Sequence, residues 1–197
     1  MKYCVFCGSF NPINNIDLDM AKFILDKFDY EHVIFVPAYR LPKQSINEKQ
    51  ALHRYNMVKL AIEGEKHFSI SNVEYRNEKN SYPYNVICEL YKIFPNVEGK
   101  MGFIIASSEF ENIRLWYKAE ELKKKVDFLI YQNEDDFNPN KKRYTYLKEN
   151  GYNYQIIDMP SENLSYANVK RNIKNGSVVE NLIPDTVKEY MEKYNLL

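Results

Sequence analysis

Short apolar runs alternate with longer amphipathic ones along most of this chain. The runs Tyr3–Phe6, His32–Pro37, Phe68–Val73, Gly102–Ala106, Phe128–Tyr131 and Tyr154–Ile157 predict strands. The stretches Asp17–Lys27, Lys49–Ile62, Tyr84–Phe94, Glu109–Leu115, Ala119–Lys124, Lys142–Glu149, Ala167–Asn175 and Pro184–Tyr194 predict helices. Gly176 ends one of these and Pro184 opens the next, the usual asymmetry of helix ends. Strand and helix in alternation predict an α/β fold with a doubly wound, mostly parallel sheet, one domain over residues 1–197, and ligands at the carboxyl ends of the strands.

The stretch 133–143 is polar and passes from acid to base, so it reads as an exposed loop entering a helix. A solvated loop outweighs a metal at Asp135 and Asp136. No internal repeat or low-complexity tract interrupts the pattern.

Composition narrows the function classes. The chain carries 27 acidic and 27 basic side chains among its 197 residues, so no broad field steers DNA, RNA or an anionic membrane to it. Apolar runs stay well short of the roughly 20 residues needed to cross a bilayer, and the N-terminus enters a strand directly; a cytoplasmic protein is expected. Cys4 and Cys7 stand three apart, on opposite faces of a strand, which disfavours a disulfide between them. No second Cys or His pair has the spacing of a zinc site, so reduced, buried thiols are expected.

The chemistry concentrates near the start. After the first strand comes Cys7-Gly8-Ser9-Phe10-Asn11-Pro12-Ile13-Asn14-Asn15-Ile16-Asp17-Leu18: a tight turn at Gly8, extended backbone before Pro12, then a helix. This resembles the phosphate-binding turn of the nicotinate mononucleotide adenylyltransferases, Gly-Ser-Phe-Asp/Asn-Pro-x-His-x-Gly-His. Gly8 to Pro12 match, while Asn14 and Asp17 stand at the two His positions and Ile16 at the Gly. The resemblance runs on through Val36-Pro37-Ala38, Pro42-Lys43, His53-Arg54-Tyr55-Asn56-Met57, Asn80-Ser81-Tyr82-Pro83-Tyr84 and Phe103–Ser108. It continues through Leu115-Trp116-Tyr117-Lys118, Leu164–Lys170 and the closing Leu182–Met191. It implies a Rossmann-like nucleotidyltransferase fold and a place in NAD biosynthesis.

The resemblance also implies site residues. Catalytic positions fall on Asn14, Asp17 and Lys170. Nucleotide-binding positions fall on Gly8, Ser9, Phe10, Ile16, Lys43, Ser108, Ser165 and Arg171, and acceptor-binding positions on Ser81, Tyr82 and Trp116. No protein-held metal is implied; Mg²⁺ would accompany ATP if transfer survives. At these positions the residue types depart from the family. Asp17 offers only acceptors and a negative charge to a polyphosphate, although an acid in a first helical turn, like Asp19, also complements the helix dipole. Ile16 should narrow the adenosine pocket, and Ser108 stands where the family has a ribose-binding Asp. Lys170 keeps a charge without the guanidinium fork, and Pro83 removes a backbone donor on the acceptor side. Trp116 fits both a ring-stacking role and a core role.

Two readings remain open. One is a relative with impaired or lost adenylyl transfer that keeps a nucleotide-binding or regulatory role. The other is a divergent active adenylyltransferase joining ATP to nicotinate mononucleotide or a related acceptor, with Asp17 touching the magnesium. The 17 Tyr and 11 Phe also leave room for a protein-binding module, and the partner is a nucleotide or a protein, with a homo-oligomer compatible with both.

Overall fold

The computed structural model describes residues 1–40, 47–76, 82–132, 142–159 and 182–196. Six strands, β1 (Tyr3–Gly8), β2 (His32–Pro37), β3 (Phe68–Ile70), β4 (Met101–Ala106), β5 (Val126–Tyr131) and β6 (Tyr154–Ile157), form one parallel sheet in the order β3-β2-β1-β4-β5-β6. The helices are α1 (Asn15–Lys27), α2 (Glu48–Ala61), α3 (Val73–Arg76), α4 (Pro83–Ile93), α5 (Ser107–Phe110), α6 (Ala119–Leu122), α7 (Lys142–Glu149) and α8 (Asp185–Lys193), with a 3₁₀ turn at Ile113–Leu115. Among the described residues no helix is long and apolar enough to cross a membrane.

A sheet covered on both faces needs apolar residues in succession rather than in alternation. All six residues of β4 are buried accordingly. Val5, Ile34, Val36, Phe103, Ile105 and Phe128 point to one face, where Val86, Ile87 and Leu90 of α4, Leu122 of α6 and Tyr144 of α7 cover them. Cys4, Phe6, Val33, Phe35, Ile104 and Leu129 point to the other, under Met20 and Ile24 of α1, Met57 of α2 and Val187 and Met191 of α8. The two thiols of β1 therefore lie in different cores, and Cys4, Cys7 and Cys88 are free.

Strand order runs outward in opposite senses from β1 and β4. The pairs Cys4–Gly102, Val5–Phe103 and Phe6–Ile104 join the two halves. Beyond the carboxyl ends of these strands lies the crevice where open α/β sheets bind ligands.

Several sequence expectations shift in detail. The expected strand Phe68–Val73 stops at Ile70, because the Asn72 carbonyl accepts from the Tyr75 and Arg76 amides and turns the chain into α3. The expected helix Glu109–Leu115 is split: α5 begins at Ser107, and Asn112 bonds back through Nδ2 to the Ser108 carbonyl at 3.0 Å before the 3₁₀ turn. Pro184 caps α8 rather than opening it, its carbonyl accepting from the Val187 and Lys188 amides. The expected helix Ala167–Asn175, Gly176, and Asp135 and Asp136 lie outside the described residues.

Candidate functional site

The turn after β1 is built on a close approach. A Cβ on Gly8 would meet the Phe10 ring at 2.8–3.1 Å, so only glycine admits the ring folded back over it. Phe10 takes φ +43, a left-handed conformation that costs a non-glycine residue about 1–2 kcal/mol. Its ring offsets this by burial against Phe6 (centroids 5.3 Å) and Phe35 (5.8 Å). The Phe10 side chain thus belongs to the core beneath the turn, whereas Ser9 is exposed at its tip.

The helix that follows has three of its four N-terminal donors taken. Asn14 is the N-cap of α1, and its Oδ1 accepts from the Asp17 amide at 3.2 Å. Asp17, three residues on, accepts the Asn14 amide on Oδ2 at 3.0 Å, completing a reciprocal capping box. The Asn15 amide donates to the Leu182 carbonyl at 2.9 Å. A helix N-terminus attracts anions through such free N–H groups; here the cap, the acid and a neighbouring carbonyl satisfy the N-cap, first and third of them. Both box residues are buried, Asn14 6 % and Asp17 5 % exposed. The Asp17 charge and the two box bonds therefore explain this pair as a local device.

Ile16 lies between them and is also buried, packed with Leu182 and Met159. On the β4 side, Ser107 is buried and Ser108 is partly exposed at the start of α5.

Among the described residues, carboxylates act on the carboxyl ends of β1 and β5. Burial pushes the Cys7 thiol well above its ordinary value, and the charges of Glu74 and Glu109 add to the shift. Burial likewise raises the Tyr131 phenol, with Glu109 and Asp17 contributing. Three acids thus act on two groups at the carboxyl ends of β1 and β5. Among the described residues no cluster of three or more His, Cys, Asp or Glu side chains could hold a metal ion.

An aromatic group flanks the crevice on the face of α4. Tyr82 precedes α4 and stacks on Tyr117 with ring centroids 4.6 Å apart, and Tyr84 meets Tyr117 edge-on at 6.3 Å. Lys118, at φ +52, holds Nζ 4.8 Å from the centre of the Tyr84 ring. Trp116 is partly buried and stands edge-on to Phe103 at 6.1 Å, so part of its ring is core wall. Pro83 occupies the first residue of α4, where no side chain caps the helix.

The structure brings together Gly8, Ser9, Phe10, Asn14, Ile16 and Asp17 in one turn, with Ser108 at the end of β4 and Tyr82 and Trp116 on the α4 face. Lys43, Ser81, Ser165, Lys170 and Arg171 lie outside the described residues. Glu74, Glu109, Tyr131, Tyr117 and Lys118 were not singled out as site residues from sequence. They are isolated polar or aromatic residues whose proximity depends on strand order, although the Asn14-x-x-Asp17 spacing is itself a cap signature.

A family model described as cytidylyltransferase-like matches residues 5–165. The probable nicotinate-nucleotide adenylyltransferase of Carboxydothermus hydrogenoformans is 31 % identical over 201 residues, covering 99 % of this chain and 97 % of that protein. The nicotinate-nucleotide adenylyltransferase of Bacillus subtilis is 30 % identical over 196 residues, covering 99 % and 97 %. Among solved structures, the Plasmodium falciparum nicotinic acid mononucleotide adenylyltransferase complexed with NaAD superposes with a TM-score of 0.75 at 19 % identity, covering 99 % of this chain and 96 % of that one. At that identity the superposition speaks for the fold.

Proposed function

The chain belongs to the cytidylyltransferase-like family, with the nicotinate-nucleotide adenylyltransferases as its relatives, and from that premise we propose that it is a member in which adenylyl transfer is impaired or lost while a nucleotide-binding or regulatory role remains. The observation that carries this reading is the self-capped N-terminus of α1.

Adenylyl transfer joins a mononucleotide phosphate oxygen to the α-phosphorus of ATP and expels pyrophosphate. The protein's share is to position the reactants and stabilise charge on phosphate oxygens with donors and cations. At the two positions where the family resemblance expects imidazoles, Asn14 and Asp17 are bonded to each other. A phosphate oxygen about 4 Å from the Asp17 carboxylate would be repelled by about 4 kcal/mol per pair of unit charges at an effective dielectric of 20. The helix dipole returns only about 0.3–1 kcal/mol at an exposed end, less than that repulsion. Ile16, at the position where the family resemblance expects Gly, would narrow the adenosine pocket.

A narrower nucleotide interaction survives this loss, supported by the intact Gly8–Phe10 turn and the position of Ser9 at the crevice. Tyr82, Tyr117 and Trp116 would form the acceptor side, where an aromatic ring can pack. Magnesium would arrive on ATP rather than in a site held by the described side chains.

The test is to incubate the protein with ATP, nicotinate mononucleotide and magnesium and to measure dinucleotide and pyrophosphate. Turnover far below about 1 per second is expected, and turnover within the ordinary 1–10³ per second would overturn the reading. Calorimetric titration with ATP should still give heat of binding.

A further inference from the structure

The residues that lead out of β2 are gripped from two sides by buried charges. Arg54, on α2 and 3 % exposed, donates from Nη2 to the Ala38 carbonyl at 2.8 Å and to the Tyr39 carbonyl at 3.1 Å. Glu74, on α3 and 8 % exposed, accepts the Tyr39 amide on Oε2 at 2.9 Å. Buried charges are costly unless hydrogen-bonded, and here both reach the same stretch of backbone. Among the described residues the Arg54 Nε has no hydrogen-bond partner, and the guanidinium reaches the Ala38 and Tyr39 carbonyls through Nη2.

The grip extends to the turn after β1. The Ala38 amide donates to the Gly8 carbonyl at 2.9 Å, one step past the last paired residues of β1 and β2. In a trans peptide the carbonyl and the following N–H point in opposite directions. The Gly8–Ser9 bond is trans, the only cis bond among the described residues being Asn11–Pro12. With the Gly8 carbonyl turned toward β2, the Ser9 N–H is turned toward β4, the strand on the other side of β1. It therefore points across the β1–β4 crevice, and among the described residues nothing accepts from it.

We propose that Arg54 and Glu74 are positioning residues: by fixing Ala38 and Tyr39 they hold the Gly8 carbonyl, and so aim the Ser9 amide at an anionic oxygen of a nucleotide bound in the crevice. The inference rests on the residual nucleotide binding proposed above. It assigns the remaining affinity to a backbone donor set by two side chains that do not themselves touch the ligand.

The test compares Arg54→Met, Arg54→Lys, Glu74→Ala and Glu74→Gln with the parent by ATP titration calorimetry, thermal melting and hydrogen exchange resolved over residues 8–10 and 38–40. Arg54→Met and Glu74→Ala should weaken ATP about tenfold, the scale of one charge-assisted hydrogen bond, and speed exchange in both segments. Exchange in β5 and β6 should stay unchanged. Glu74→Gln keeps an oxygen for the Tyr39 amide and should recover most of the affinity lost in Glu74→Ala, a rescue that a purely structural role would not single out. Folded Arg54→Met with parental ATP affinity and parental exchange would overturn the assignment. If Arg54→Met does not fold, Arg54→Lys and Glu74→Ala decide by the same readouts. A parent that binds no ATP would remove the reading of residual binding, while exchange at 8–10 and 38–40 would still decide whether the clamp exists.

Discussion

Asn14 and Asp17 each hold the other's backbone amide at the start of α1. Asn14 and Asp17 share two hydrogen bonds across one helical turn, so removing either leaves the other with an unmatched buried group. Asn14→Ala and Asp17→Ala should each lower stability by about 0.5–2 kcal/mol, and the double variant should lose clearly less than their sum, because the first change loosens the cap turn and weakens the bond that the second removes. Urea denaturation of the three variants measures this; additive losses would show that the residues act independently. Restoring the family signature with Asn14→His, Ile16→Gly and Asp17→His should have two opposed effects. Dinucleotide formation should rise, and stability should fall by at least about 2–5 kcal/mol because Ile16 is buried against Leu182 and Met159. A stable triple variant without activity would place the defect beyond this turn, at Ser108 or Pro83 among the described positions.

At the scale of elements, the sheet was legible wherever successive apolar residues crowd a short run. The ranges of β2 and β6 match expectation at both ends, β4 and β5 begin earlier at the buried Met101 and Val126, and β1 runs on because Cys7 and Gly8 still pair with Val36 and Pro37 of β2. The short elements were not legible. Val73-Glu74-Tyr75-Arg76 alternates apolar and polar like a strand, and only the two amides returning to the Asn72 carbonyl make it a turn of helix. The site divides in the same way: the Gly8–Asp17 turn is contiguous and readable, whereas Arg54, Glu74 and Tyr39 meet only through the strand order. Close packing between elements gives another prediction. A Cβ on Gly102 of β4 would stand 2.6 Å from Cζ of Tyr30, so the ring must shift to admit it. Gly102→Ala should therefore cost about 1–3 kcal/mol, and pairing it with Tyr30→Leu should recover part of that loss. A Gly102→Ala protein as stable as its parent would mean that Tyr30 moves freely there.

For the whole molecule, charge balance makes the acid response depend on individual groups rather than on net repulsion: 27 acidic side chains offset 27 basic ones at pH 7. His32 begins β2 half-buried, edge-on to Tyr3 with ring centroids 5.8 Å apart. Burial lowers its pKa below the ordinary value of about 6.5, and nearby His67 lowers it further. The unfolded chain therefore takes up a proton near pH 6.5 that the folded chain still refuses. Below that pH the unfolded state binds more protons, so stability is complete above pH 6.5 and falls as the pH drops toward the folded pKa, with a limiting slope of about 1.4 kcal/mol per pH unit for one group. Carboxylates with ordinary values near 4 contribute little above about pH 5.5, which isolates the window. Urea midpoints of the parent and of His32→Gln at pH 7.5 and 5.5 should show the parent losing more stability across that interval. Equal losses would remove His32 as the group responsible, because glutamine fills the position without a titrating ring.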